Sequence, residues 1–221
     1  MFSFTFYDKY VAIIGDIVDS RQIKDRKKIQ QKFKKVLEDI NKKYIEDIAS
    51  KFTITSGDEF QGLLKNRSNI MNIICEIEMA MAPTKLRFGV GIGDINTEIN
   101  LDYSSEIDGP AYHRARRMIK EVESKENQYA ERQSNIMICS EESNAEIDEL
   151  LNSILSLSTA LKSKWTDRQQ EIIYAYLSND ENQYKAAHVL NIGQPSVNKA
   201  LNNARFYSYK SAIHTVNTFL A

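Results

Sequence analysis

The sequence predicts an α+β protein: a ferredoxin-like (palm) βαββαβ sheet domain followed by an all-α domain. Three observations predict it. Short β-branched, apolar runs alternate with stretches of helical period up to about residue 140. The second and third of those runs are joined by Gly57-Asp58, the shortest kind of hairpin link. Beyond Glu141 every periodic signal is helical.

Residues 10–18 (YVAIIGDIV) form the first strand, an apolar run interrupted by Gly15-Asp16 and so ending near a polar position. From Lys24 to Ile48 the apolar residues Ile29, Phe33, Val36, Leu37, Ile40, Tyr44, Ile45 and Ile48 recur every three or four positions, one face of a long helix. FTITS (52–56) and EFQGLL (59–64) make the antiparallel pair. Residues 69–81 are helical by period, Pro83 stops them, and 85–95 return to strand character with Gly89, Gly91 and Gly93 alternating. A helix over 109–124 places Pro110 in its first turn, where a missing N–H costs nothing, and NIMIC (135–139) is the fifth strand. Ile147, Leu150, Leu151, Ile154, Leu155 and Leu161 then mark a connecting helix. The expected division is a sheet domain over 1–142, a connecting helix over 143–164 and a helical domain over 165–221.

Composition sets the outer limits. Of 221 residues 42% are apolar and 10% aromatic, with only 3 Pro and 8 Gly, which excludes disordered, collagen-like and low-complexity classes. Lys and Arg number 29 against 30 Asp and Glu, so any polyanion must be met by a local patch. Cys75 and Cys139 each lie in an apolar run and read as reduced buried thiols, which suits the cytoplasm. The first residues lack the pattern of a signal peptide, and no apolar run approaches the roughly 20 residues that span a bilayer. A cytoplasmic protein without a membrane partner is expected.

Chemistry concentrates at two aspartates. Asp16 ends the first strand and Asp58 lies in the hairpin, places that a βαββαβ sheet brings side by side at one edge. Two carboxylates there can share divalent cations, Mg²⁺ or Mn²⁺, that neutralise a triphosphate. TSGDEFQGLL resembles the hairpin of nucleotide cyclases, and Ser56 to Phe60 is close to the GGDEF signature of diguanylate cyclases. GDIVDS (15–20), RFGVGIGDI (87–95) and GPAYHRARRM (109–118) resemble, in order, the metal-binding strand, the later glycine-bearing strand and the ribose- and phosphate-binding helix of that fold. The resemblance implies metal at Asp16 and Asp58, and nucleotide contacts from Asp19, Ser20, Gly57, Glu59, His113, Arg114 and Arg117.

Departures from the cyclase pattern weigh against turnover. Asp19 stands where cyclases receive phosphates on a small residue, Ile54 stands where adenylyl cyclases select purine with Lys, and His113 replaces the usual Asn, although Arg117 is kept. A plainer reading is also open, in which the aspartates terminate a strand and shape a turn and Arg114, Arg116 and Arg117 form a solvated helix face. Lys24, Arg26, Lys27 and Lys28 read as such a face as well.

In the last third, Thr166 is a good N-cap for a helix carrying Ile172, Ile173, Tyr176 and Leu177, and two short helices follow over 183–190 and 195–205. With Ala187 at the crossing, Ala186, Leu190, Ile192, Val197 and Ala200 fall on the buried side, and Asn191 takes the turn position that needs a left-handed backbone. AAHVLNIGQPSVNKAL (186–201) resembles the helix-turn-helix of LysR-type regulators. That resemblance assigns Gln194, Ser196, Asn198, Lys199 and Asn202 to the major groove or its phosphates. Lys185, Lys199, Arg205 and Lys210, with no acid between the first and last, give a local charge of +4. A trihelical dimerisation or protein-docking module is the alternative.

A cyclase-like sheet domain joined to a C-terminal helix-turn-helix resembles the SatD family over nearly the whole chain. The resemblance implies that architecture more firmly than an activity; the first expectation from the two domains is a DNA-binding regulator, acting as a homodimer on double-stranded DNA, whose sheet domain binds a nucleotide or nucleotide-derived signal with a divalent metal. A nucleotide cyclase or nucleotidyltransferase with an accessory helix-turn-helix, and a protein-interaction module with degenerate sites, are the other readings.

Overall fold

The structure is a computed structural model and describes residues 9–23, 25–128 and 134–221. Lys24, one of the basic residues noted above, lies outside the described residues. The sheet lobe runs β1 (Tyr10–Ile17), α1 (Arg26–Lys43), β2 (Ile48–Ser56), β3 (Glu59–Leu64), α2 (Ile70–Met81), β4 (Leu86–Gly93), α3 (Pro110–Gln128) and β5 (Ile136–Cys139). Five helices complete the chain: α4 (Ala145–Lys162), α5 (Asp167–Ser178), α6 (Gln183–Val189), α7 (Gln194–Asn203) and α8 (Phe206–Leu220). The protein is therefore of mixed α+β class. Among the described residues no helix is long and apolar enough to cross a membrane.

The sheet has the order β2-β3-β1-β4-β5, with β1 antiparallel to both β3 and β4, and β5 parallel to β4. β3 thus splits the β1-α1-β2 unit, and the end of β1 meets the start of β3. One difference from the sequence reading concerns α1, whose apolar spacing extends to Ile48. Tyr44 instead caps the helix, Asp47 turns back onto the Tyr44 carbonyl, and Ile48 opens β2. The Asp47 carbonyl receives Lys65 N–H at 2.9 Å, so the chain is captured by the sheet before the helical period ends.

Period-two alternation along β1 feeds two cores. Val11, Ile13 and Ile17 face α1 and α2, joined by Leu151 and Leu155 of α4 and Val216 and Leu220 of α8. Ala12 and Ile14 face the other way, onto Ala111, Ala115 and Ile119 of α3. The alternating glycines of β4 make that second contact possible. A Cβ on Gly91 would lie 2.0 Å from the Ala111 carbonyl oxygen and 2.4 Å from the Ala115 nitrogen, so α3 rests directly on backbone.

Helices α5 to α8 carry a separate core around Trp165, Ile172, Ile173, Val197, Leu201 and Phe206. Thr166 caps α5 in a reciprocal box with Gln169, as its hydroxyl and spacing lead one to expect. The last helix belongs to both lobes. Its Phe206 and Tyr209 lie in the helical core and its Val216 and Leu220 in the sheet core. Asn217 accepts the Met71 N–H at 2.9 Å and donates to the Ser68 carbonyl at 2.6 Å, capping α2 from far along the chain.

Candidate functional site

At the hairpin end of the sheet, Asp16 of β1 stands between Glu59 of β3 and Arg87 of β4, three residues in direct register and hence on one face, the face covered by α3. Arg87 Nε donates to Asp16 Oδ1 at 2.9 Å, and its guanidinium is 3.6 Å from carboxylates of Glu123 and Glu126. Glu59 takes both terminal nitrogens of Arg116 and the Thr55 hydroxyl at 3.0 Å. Burial pushes the Asp16 carboxyl above the usual carboxylate range, and the pull of Arg87 only partly offsets it.

Asp58 reaches the same end through the turn. Gly57 has φ 45°, which a two-residue link requires, and the Asp58 carbonyl accepts the Ile17 N–H at 3.1 Å, tying the turn to the end of β1. Ser20 donates its hydroxyl to Asp58 Oδ2. Asp58 also raises the Asp16 carboxyl, so the two charges feel one another. Asp19, in a left-handed conformation at φ 52°, is exposed beside them. The structure therefore brings together Asp16, Asp19, Ser20, Gly57, Asp58 and Glu59.

His113, Arg114 and Arg117 are not part of this cluster. α3 runs back along β4, so its first turns meet the far end of that strand. Arg114 Nη1 donates to the Ile92 carbonyl at 2.7 Å, Arg117 Nη2 to Cys139 Sγ at 2.7 Å, and His113 contacts Asp108 at 2.7 Å in solvent. Arg87 and Ile92 are both on β4, and at 3.3 Å per residue their levels are about 17 Å apart. One chain thus separates these three side chains from Asp16 and Asp58. The cations that pair with Asp16 and Glu59 at the hairpin end are Arg87 and Arg116, and the former has a sequence signal: it is a lone charge in an apolar, glycine-bearing strand.

Oxygen ligands of this kind suit Mg²⁺ or Mn²⁺, and in this structure each of the carboxylates has a partner within the chain. Asp16 is occupied by a guanidinium, Asp58 by Ser20, and Glu59 by Arg116. Among the described residues no group of three or more His, Cys, Asp or Glu could hold a metal ion. In this structure the place of a cation beside Asp16 is taken by the chain's own Arg87, which a metal shared by Asp16 and Asp58 would have to displace.

In the helical lobe, Asn191 has φ 51°, the left-handed turn that the sequence calls for, and Ala186, Ala187, Val197 and Leu201 are buried where α6 and α7 cross. Ser196, Asn198, Lys199, Asn202 and Arg205 are exposed. Gln194 is half-buried, donating to Gln183 Oε1 at 2.6 Å. The +4 of residues 185–210 is partly cancelled by acids that lie just before it in the chain. Lys185 pairs with Asp180 and Lys210 with Glu181, leaving Lys199 and Arg205 as the exposed cations near α7.

A model of the SatD family matches residues 10–218 of this chain. No curated protein matches it. Among solved structures it is similar to the catalytic core of a rhodopsin-guanylyl cyclase with converted specificity in complex with ATPalphaS, at 15% identity over 52% of this chain and 72% of that one, TM-score 0.35. It is similar to the guanylyl cyclase Cya2 at 10% identity over 51% and 70% of the two chains, TM-score 0.36. A regulator of polyketide synthase expression from Bifidobacterium adolescentis is similar at 12% identity over 96% and 79%, TM-score 0.30.

Proposed function

Because the chain belongs to the SatD family, which its match over residues 10–218 shows, we propose that it is a DNA-binding regulator with a ligand-sensing sheet domain. The observation that carries the reading is α7. Its buried side closes on α6 through a left-handed Asn191, while Ser196, Asn198, Lys199 and Asn202 project from its exposed side. Amide and hydroxyl groups there match the donors and acceptors of base edges, and Lys199 and Arg205 match phosphates. A homodimer would present two such helices to two half-sites on double-stranded DNA.

The sheet domain's signal is proposed to be a nucleotide or nucleotide-derived molecule, bound without the metal that the sequence suggested. Sensing is favoured over turnover because the three aspartate and glutamate side chains at the hairpin end are engaged within the chain, and the cyclase-like arginines lie at the other end.

Fluorescence anisotropy of a labelled mixed-sequence duplex tests the DNA reading. Binding that weakens in Lys199→Ala and Asn198→Ala supports it; a duplex that never binds refutes it. Melting curves with ATP, GTP, CTP and UTP, each with and without Mg²⁺ or Mn²⁺, test the sensor. A metal-independent shift is expected. A shift seen only with metal and lost in Asp16→Asn would place a metal at Asp16, and a new nucleotide product would make the protein an enzyme.

A further inference from the structure

Between the two lobes lies a cleft of about 460 Å³, walled by the end of α2, by α4, α5 and α8, and by the segment around Pro83. That volume is within the range of pockets for small organic ligands, equal to roughly 15 waters. Its character is mixed. Trp165, Tyr174, Phe206 and Tyr209 supply aromatic wall, and the charged lining balances, with Lys85, Lys162 and Lys210 against Glu78, Asp167 and Glu181. Lys162 Nζ donates to both oxygens of Glu78, at 2.8 and 2.7 Å, and Asn135 donates to the same carboxylate. Both members of the pair keep solvent access, 23% for Lys162 and 17% for Glu78.

The hydroxyl of Tyr174 is a further lining group, and among the described residues it has no hydrogen-bond partner. Burial pushes its pKa up to about 12, so it remains a neutral donor. Nothing at the hairpin end or on α7 uses this cleft.

We propose that the cleft binds an uncharged planar aromatic carrying an amide or lactam edge. The electroneutral Glu78–Lys162 pair gives little net attraction to an ion, yet it offers an acceptor for an N–H beside a donor for a C=O. Tyr174 can donate to the same carbonyl, and the aromatic walls take the ring. Since α2 belongs to the sheet lobe and α5 to the helical lobe, an occupant touches both. It biases their arrangement to the extent that it binds one arrangement better than another.

The probe is 4-fluorobenzamide, followed by ¹⁹F line width against the full chain, with emission of Trp165, the only tryptophan, read in the same titration. Broadening and a change in Trp165 emission at millimolar probe are expected. Tyr174→Phe, which keeps the shape, should weaken binding about fivefold. Leu177→Trp, which fills the cleft from α5, should abolish the broadening. A resonance that stays sharp with the wild-type protein overturns the proposal. So does broadening that survives both substitutions, since the probe is then bound elsewhere. No step of this test involves DNA, so its failure is separate from failure of the DNA reading.

Discussion

The ion pairs of the helical lobe set how steeply DNA binding should depend on salt. Each phosphate neutralised releases condensed counterions, and the slope of log K against log salt is about −0.9 per phosphate contact. Lys185 and Lys210 are paired with Asp180 and Glu181, so each protomer of the proposed dimer brings Lys199 and Arg205 to the proposed DNA interface. A dimer then makes about four contacts and has a slope of about −3.6, an affinity loss of roughly 150-fold between 50 and 200 mM salt. Were all four cations engaged, the slope would be about −7 and the loss roughly 2 × 10⁴-fold. Anisotropy titrations of one labelled duplex at four or five salt concentrations, repeated with Lys199→Gln, give the number directly. The substitution should reduce the slope to about −1.8. A wild-type slope near −7 would refute the reasoning that Lys185 and Lys210 keep their acidic partners on DNA. An unchanged slope in Lys199→Gln would remove α7 from the interface.

Three further perturbations test the architecture around these sites. Asn217→Ala deletes the remote cap of α2 and its bond to Ser68, at a cost of about 2 kcal/mol; for a chain of this size calorimetry should show Tm falling by roughly 4–8 °C. A fall under about 1 °C would mean that α8 is not fastened to α2 as described. Gly91→Ala drives a methyl into the backbone of α3 and should cost about 3 kcal/mol or more in denaturant unfolding, whereas a neutral result would mean α3 does not rest on β4. Asp16 should titrate above the ordinary aspartate value in a carboxyl ¹³C NMR experiment, and further up in Arg87→Gln, where burial and the neighbouring carboxylates of Glu123 and Asp58 act unopposed. Because its folded pKa is raised, Asp16 favours the native state most below the unfolded value, and that contribution is lost as pH rises through the folded one. A midpoint at or below the ordinary value would refute the burial of its carboxyl.

Much of the sheet lobe was legible because its signals are local. Period two in β1, period 3.6 in α1 and α2, and the Gly57-Asp58 link each report on neighbours a few positions away. Even the adjacency of Asp16 and Asp58 could be read, because the pairing of β1 with β3 follows from the element order. Register and helix direction could not. Whether Asp16 meets a metal or Arg87 depends on which residue of β4 stands opposite it. The placement of Arg114 and Arg117 depends on α3 running back along β4, which carries the start of the helix to the wrong end of the sheet for a site at Asp16. The cancelled charge near α7 is a subtler case, since Asp180 and Glu181 lie just before Lys185, where a count begun at that lysine misses them.

The double membership of α8 bears on how a sensor could speak to α7. α4 packs on the sheet through Leu151 and Leu155, and α8 through Val216 and Leu220, so the segment between them, α5 to α7, is held at both ends. Such a segment cannot swing as a loosely tethered domain would. It can change only by shifts of α4 or α8 against the sheet, or by repacking of its own core around Trp165 and Phe206. The seam where those helices meet α2 is therefore a place, among the described residues, at which a small molecule in contact with the sheet lobe also touches the core beneath α7. A ligand confined to the hairpin end would have to act through β1 and α1 first, and neither contributes to that core. The coupling route, if the protein is a ligand-controlled regulator, runs through α2, α4 and α8.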